Sequence, residues 1–171
     1  INKWNFQTPS EEELHKRDRL ASQLGLSPVV CLLLVQRGLT TVEEVKKFFK
    51  PSLNDLHDPF LMPDMEKAVK RLNKALGNKE KILIYGDYDV DGTTAVSLVY
   101  KYLRPYSSAL DYYIPDRYDE GYGISYKGIN YARENGITLV ISLDCGIKAI
   151  EKIEYAKQLG IDFIICDHHM P

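Results

Sequence analysis

ILIYGDYDVDGTT, residues 82–94, joins the two signals from which the rest of the chain can be placed. Ile82, Leu83, Ile84 and Tyr85 run without a polar break, the pattern of a strand buried on both faces of a parallel sheet. Asp87, Asp89 and Asp91 follow at alternate positions, then Gly92. Thr93 opens a stretch in which Ala95, Val96, Leu98, Val99, Tyr102 and Leu103 recur at helical spacing. The acids are therefore expected on a turn between strand and helix, at the strand's C-terminal end, where open α/β sheets place their ligands. Carboxylates this close repel one another: at ~5 Å and an effective dielectric of ~20, each pair costs about 3 kcal/mol. Divalent cations held by oxygen ligands are the expected counter-charge.

Toward the C-terminus the alternation repeats. Asp111–Ile114 reads as a short strand ending at Pro115, and the loop DRYDEGYG (116–123) leads into a helix from Ser125 to Asn135, closed by Gly136. Thr138–Leu143 (TLVISL) is a third strand, ending at Asp144. A helix with Ile147, Ile150, Ile153, Ala156 and Leu159 inward follows, closed by Gly160. Asp162–Cys166 is a fourth strand, ending in Asp167, His168 and His169. This spacing predicts right-handed βαβ units and an α/β fold: a parallel sheet with helices on both faces.

Toward the N-terminus the pattern is helical. Trp4 and Phe6 are expected anchors, and Ser10 with Glu13 forms a capping-box signature for a helix to about Leu24. Pro28 starts an apolar helix, Val29–Gln36, ended by Gly38. Thr41 with Glu44 is a second capping box, for a helix with Val42, Val45, Phe48 and Phe49 inward. Residues 51–63, with Pro51, Pro59 and Pro63, read as a linker. Met65–Leu76 is again helical, with Met65, Ala68, Val69, Leu72 and Leu76 on one face. Lys67, Lys70, Arg71 and Lys74 on the other face suit a solvated surface better than a phosphate site. The expected division is a small helical N-terminal region, 1–78, before an α/β domain, 79–171.

Hydrophobic content of 44% and charged content of 27% are ordinary for a globular chain that buries a core. A net charge of −2 carries no footprint for nucleic acid, although two divalent ions would bring the balance to +2. Cys31, Cys145 and Cys166 are odd in number and sit in or beside apolar segments, as free thiols of a reducing, cytoplasmic setting do. Cys166 is expected to point from its strand into the core. The longest apolar run, Val29–Val35, is far too short to cross a membrane, and no membrane attachment is expected. The chain begins at Ile1 and stops at Pro171 directly after a polar cluster, so a fragment of a longer protein is expected.

Potential ligands thus end three strands: Asp87, Asp89 and Asp91; Asp144; and Asp167, His168 and His169. Taken singly each has an ordinary explanation, since an Asp after a strand often caps the next helix. C-terminal strand ends share one rim, however, and carboxylates with imidazole there suit Mn²⁺, Mg²⁺ or Zn²⁺. No Cys–Cys spacing marks a structural zinc site. An EF-hand loop starting at Asp87 would need a bidentate Glu where Leu98 stands. No GxxxxGK is present, and GYGISY lacks the third glycine of a dinucleotide fingerprint. Asp89–Thr93 matches the DxDGT of haloacid-dehalogenase-type phosphatases. Gly86, Asp87 and Tyr88 separate it from its strand, however, and the later GDxxxD pair is missing.

GDYDVDGTTA, SLDCGI and ICDHH resemble the first three motifs of the DHH phosphoesterase family, named for Asp-His-His. IPDRYDEGYGI, RGLTTVEEVKKFFKP and DPFLMPDMEKAVKRL resemble its RecJ-type branch, single-strand-specific 5′→3′ DNA exonucleases. The resemblance covers nearly the whole chain. It implies a DHH-type parallel sheet, metal-dependent phosphodiester hydrolysis in DNA repair and recombination, two Mn²⁺ or Mg²⁺ ions, and single-stranded DNA as substrate. A monomer that meets single-stranded-DNA-binding protein or a helicase is also implied. Among the residues, Asp89, Asp91, Asp144 and His168 are implied as metal ligands, with Asp144 bridging two ions. Asp87 is either a ligand or a helix cap. His169 would contact the scissile phosphate, and Asp167 would orient an imidazole; these two form the implied catalytic pair. Arg117 either pairs with a phosphate or is a surface arginine, and Tyr118 and Tyr122 either stack on bases or pack. The family's fourth acidic motif and second domain have no counterpart, so this chain alone is expected to be weak or inactive. Two other classes stay open: a DHH hydrolase of pyrophosphate, a cyclic dinucleotide or a short oligonucleotide, and a binding module without catalysis.

Overall fold

Both N-terminal capping boxes form in the computed structural model, which describes residues 8–171; Trp4 and Phe6 lie outside the described residues. Ser10 Oγ accepts the Glu13 N–H while the Glu13 carboxylate returns to the Ser10 N–H, starting α1 (Glu11–Leu24). Pro28 occupies the first turn of α2 (Pro28–Gln36), where its missing N–H costs nothing. Thr41 and Glu44 repeat the box at α3 (Val42–Phe49). These helices enclose a core of Leu20, Cys31, Leu34, Val35 and Val45. Phe48 and Phe49, expected inward, are 56% and 55% exposed. A helix this short presents one stripe to its core, and Val42 and Val45 take it. The expected linker carries two 3₁₀ turns, Leu53–Asp55 and Pro59–Leu61.

The chain divides into two compact units after Leu61, with α4 (Met65–Gly77) in the unit that holds the sheet. Its Leu72, Ala75 and Leu76 pack on Ile82, Ile84 and Leu139. Arg71, expected on a solvated face, is only one-fifth exposed and bridges Glu80 at 2.8 Å and Asp162 at 2.6 Å.

Strand β1 (Ile82–Gly86) is buried throughout. With β2 (Leu110–Tyr113), β3 (Leu139–Leu143) and β4 (Asp162–Cys166) it forms a wholly parallel sheet in the order β2-β1-β3-β4. Parallel neighbours need crossovers, supplied by α5 (Val90–Leu103), α6 (Tyr126–Glu134) and α7 (Ile150–Gln158). Alternate strand residues serve opposite faces. Ile82, Ile84, Leu139 and Ile141 meet α4 and α5, while Leu83, Tyr85 and Val140 meet α6 and α7. The sequence of connections reverses between the adjacent strands β1 and β3, which makes their C-terminal ends the crevice of the sheet.

Leu98 and Tyr102 of α5, for which the helical spacing set no orientation, are exposed, since Val96 and Leu103 already fill the contact with the sheet. Several side chains differ from their expected orientation. The last helix starts at Ile150, which is exposed, and Ile147 lies in the preceding loop. Cys166, expected in the core, is exposed, because among the described residues nothing covers the end of the edge strand β4.

Candidate metal centre at the rim of the sheet

Asp87, directly after β1, is fully buried. Its Oδ1 accepts the Gly123 N–H at 3.1 Å, whereas Oδ2 is buried with no hydrogen-bond partner. An unpaired buried carboxylate oxygen is costly, and a cation is the partner that would satisfy it. The turn can close this tightly only because residue 92 is glycine: a Cβ there would stand 2.6 Å from the Asp87 nitrogen and 2.8 Å from its carbonyl carbon. Asp89 is the N-cap of α5, its Oδ1 accepting the Gly92 N–H at 2.9 Å. Asp91, expected in the turn, lies inside the first helical turn and is exposed, where its charge complements the helix dipole.

The second half of the rim comes from β3 and β4. Asp144 follows β3 in the left-handed region (φ 59°), a conformation Asp adopts more readily than most residues, and its N–H donates to the Cys166 carbonyl at 2.8 Å. That turn aims its carboxylate at His168, Oδ1 to Nε2 being 3.0 Å. Potential ligand atoms of Asp144, His168 and His169 all lie within 4.8 Å of one another. A carboxylate with two imidazoles is a donor set that suits a first-row divalent ion.

Asp167 is differently employed. Oδ2 accepts the Ile147 N–H at 2.9 Å, and Oδ1 accepts the His169 N–H at 3.1 Å and meets His169 Nδ1 at 2.7 Å. Burial pushes its acidity down, but these hydrogen bonds outweigh that, and its pKa falls below the usual carboxylate value. The same contact raises the His169 pKa above its ordinary value. Tyr122 is pushed up to about 12, first by burial and then by the charges of Asp87, Asp144, Asp89 and Asp167. The charges of those four acids all act on the one hydroxyl.

The loop between β2 and α6 supplies the facing wall, and its order comes from Glu120. That carboxylate accepts the Tyr113 hydroxyl, the Ser125 hydroxyl and the Asp116 N–H, which together lower its pKa against the opposing effect of burial. Tyr85 donates its hydroxyl to the Gly123 carbonyl at 2.9 Å from below. So held, Tyr122 puts its hydroxyl 3.3 Å from both His169 Nε2 and the Asp144 carbonyl. Tyr88 meets the Tyr122 ring edge-on at 6.3 Å, and the Arg117 guanidinium lies 5.3 Å over the Tyr88 ring. Tyr118, at the loop tip, is 92% exposed. The role of Tyr88 carries no local sequence signal, because its partners Arg117 and Tyr122 come from another segment, whereas every Glu120 partner lies within seven residues of it.

Residues 81–171 match the family described as DHH family, N-terminal domain. The chain is 41% identical over 169 residues to the single-stranded-DNA-specific exonuclease RecJ of Bacillus subtilis (strain 168), covering 99% of this chain and 21% of that protein. It is 33% identical to the protein of that name from Escherichia coli (strain K12), covering 85% and 25%. The chain thus spans about a fifth to a quarter of the length of these curated relatives. Among solved structures, an exonuclease RecJ bound to manganese aligns with 65% of this chain and 29% of its own, at 30% identity and a TM-score of 0.59. RecJ from Thermus thermophilus in complex with Mn²⁺ shares the fold over 92% of this chain and 22% of its own, at 23% identity and a TM-score of 0.67.

Proposed function

Because this chain belongs to the DHH family, we propose that its rim hydrolyses phosphodiester bonds with bound Mn²⁺ or Mg²⁺, and that its substrate is single-stranded DNA. The observation that carries this is the approach of His168 Nε2 to Asp144 Oδ1 at 3.0 Å, at the same sheet end as the unpaired buried oxygen of Asp87. RecJ relatives named as single-stranded-DNA exonucleases, and a 30% identical RecJ structure with manganese, support the choice of substrate and ion.

Asp87, Asp89, Asp144 and His168 would hold the ions. Asp89 uses one oxygen as a cap and keeps the other for an ion. Asp91 joins this set on family resemblance alone. Divalent ions at such a site supply Lewis acidity toward a phosphoryl oxygen and a more acidic water. His169 is the residue for the scissile phosphate. Asp167 fixes its ring through Nδ1 and favours the protonated form, so Nε2–H is available to an anionic oxygen. Arg117, parked on Tyr88, offers a forked cation to a phosphate at the same rim.

The test uses the intact protein with labelled single-stranded DNA, pyrophosphate and a cyclic dinucleotide, each in Mn²⁺ and in EDTA. Mn²⁺-dependent cleavage of the DNA is expected; a preference for either small phosphate overturns the substrate assignment. Residues 1–171 alone are expected to cleave more slowly than the intact protein, in a cytoplasmic enzyme with free thiols.

A further inference from the structure

A cleft of about 300 Å³ opens beside the rim, between the segment Tyr122, Gly123, Ile124 and the segment 146–149. Asp167 and His169 line it as well, so it is continuous with the rim. Its walls stand close because residue 146 is glycine at φ 114°: a Cβ there would be 2.7 Å from Ile124 Cδ1. Two cations border it. Lys152 is committed to the fold, its Nζ donating to the Ile124 carbonyl at 2.5 Å and lying 5.9 Å over the Tyr126 ring. Lys148 is exposed.

This combination has more room and more apolar wall than an inorganic phosphate needs. Volumes near 300 Å³ are those of small organic ligands, and the Tyr122 ring, Ile124 and Ile147 offer surfaces for a flat apolar group. Bases stack on aromatic side chains without regard to sequence, and the phosphates between them seek cations. Granted the phosphodiesterase reading of the rim, we propose that this cleft seats the nucleoside next to the scissile phosphate. Its base lies against Tyr122 and its next phosphate is paired with Lys148.

Lys148→Gln and Lys148→Glu in the intact protein test this, since an exposed side chain is replaced without touching the core. Binding of a 3′-labelled oligothymidylate is followed by anisotropy in EDTA over a range of salt. Loss of one phosphate contact should weaken binding several-fold and lower the slope of log K against log salt by about 0.7. Turnover of thymidine 5′-(4-nitrophenyl phosphate), which has one phosphate and so nothing for Lys148 to hold, should be unchanged in Mn²⁺ while oligothymidylate cleavage falls. Unchanged affinity and slope overturn the proposal. Equal losses on both substrates also overturn it, because Lys148 would then act on the centre or the fold. A wild-type protein that cleaves neither substrate overturns the phosphodiesterase reading instead, and the salt slope still decides the cleft.

Discussion

Asp89 caps α5 through Oδ1 and stands among the acids that crowd Tyr122, so its two duties can be separated by substitution. Asn caps a helix as well as Asp does. Asp89→Asn should therefore melt in EDTA at or slightly above the parent, with repulsion relieved, whereas Asp89→Ala should lose about 1 kcal/mol with the cap. In Mn²⁺ the Asn variant should fall below the parent, which gains about 2.7 kcal/mol at a hundredfold excess of ion over Kd. Thermal melts of the three proteins with and without Mn²⁺ decide it; an equal drop for Asn in both conditions would leave Asp89 structural only. Tyr88 makes a subtler case. Its ring holds Arg117 through a contact worth about 0.5–1 kcal/mol at an exposed site. Tyr88→Phe should behave as the parent, while Tyr88→Leu should raise KM for single-stranded DNA and leave kcat alone in steady-state assays. Gly92→Ala, which sets a methyl against the Asp87 backbone, should cost about 1–3 kcal/mol by urea unfolding.

Between elements, a polar tie lies at the opposite end of the sheet from the candidate metal centre. Arg71 of α4 joins Glu80 before β1 to Asp162 of β4, while Glu80 also accepts the Thr138 hydroxyl. Arg71→Met should destabilise by roughly 2 kcal/mol, since it strands Glu80 without its charged donor. The pH dependence follows from Glu80, whose pKa is lowered by the Thr138 hydroxyl first and Arg71 next. A depressed carboxyl pKa contributes stability above the unfolded value of about 4.3 and loses it as pH falls through the folded value. Urea unfolding of Glu80→Gln against the parent should show a deficit at neutral pH that shrinks in acid. A deficit that is constant with pH would assign the loss to packing instead.

For the molecule as a whole, the two compact units make the position of α4 decisive. Among the described residues, 62–171 carry every strand, both faces of the sheet and all residues of the candidate centre. Expressed alone, this unit should fold and gain thermal stability from Mn²⁺. Residues 79–171 should not, or should melt far lower, because removal of Leu72, Ala75 and Leu76 uncovers Ile82, Ile84 and Leu139 and takes Arg71 with it. Circular-dichroism melts of the two pieces make the comparison. Equal melting temperatures would return the boundary to residue 78.

The elements were legible because their signals are local. A capping box spans three residues, a buried parallel strand is an unbroken apolar run, and regular alternation of strand and helix forces the strand ends, with Asp87, Asp144 and Asp167 behind them, onto one rim. Charge and motif spacing were enough to expect metal chemistry there. What no local pattern specified was which side of each element would be covered. Leu98, Ile150 and Cys166 are apolar at plausible inward positions yet exposed, because exposure depends on what packs from across the chain. The division of labour among the acids was hidden for the same reason. Asp167 is anchored and Asp87 is left with an unpaired oxygen only because Ile147 and Gly123 arrive from other segments. Side-chain identity and period act over a few residues, whereas burial and hydrogen-bond partnership are properties of surfaces that exist only once distant segments have met.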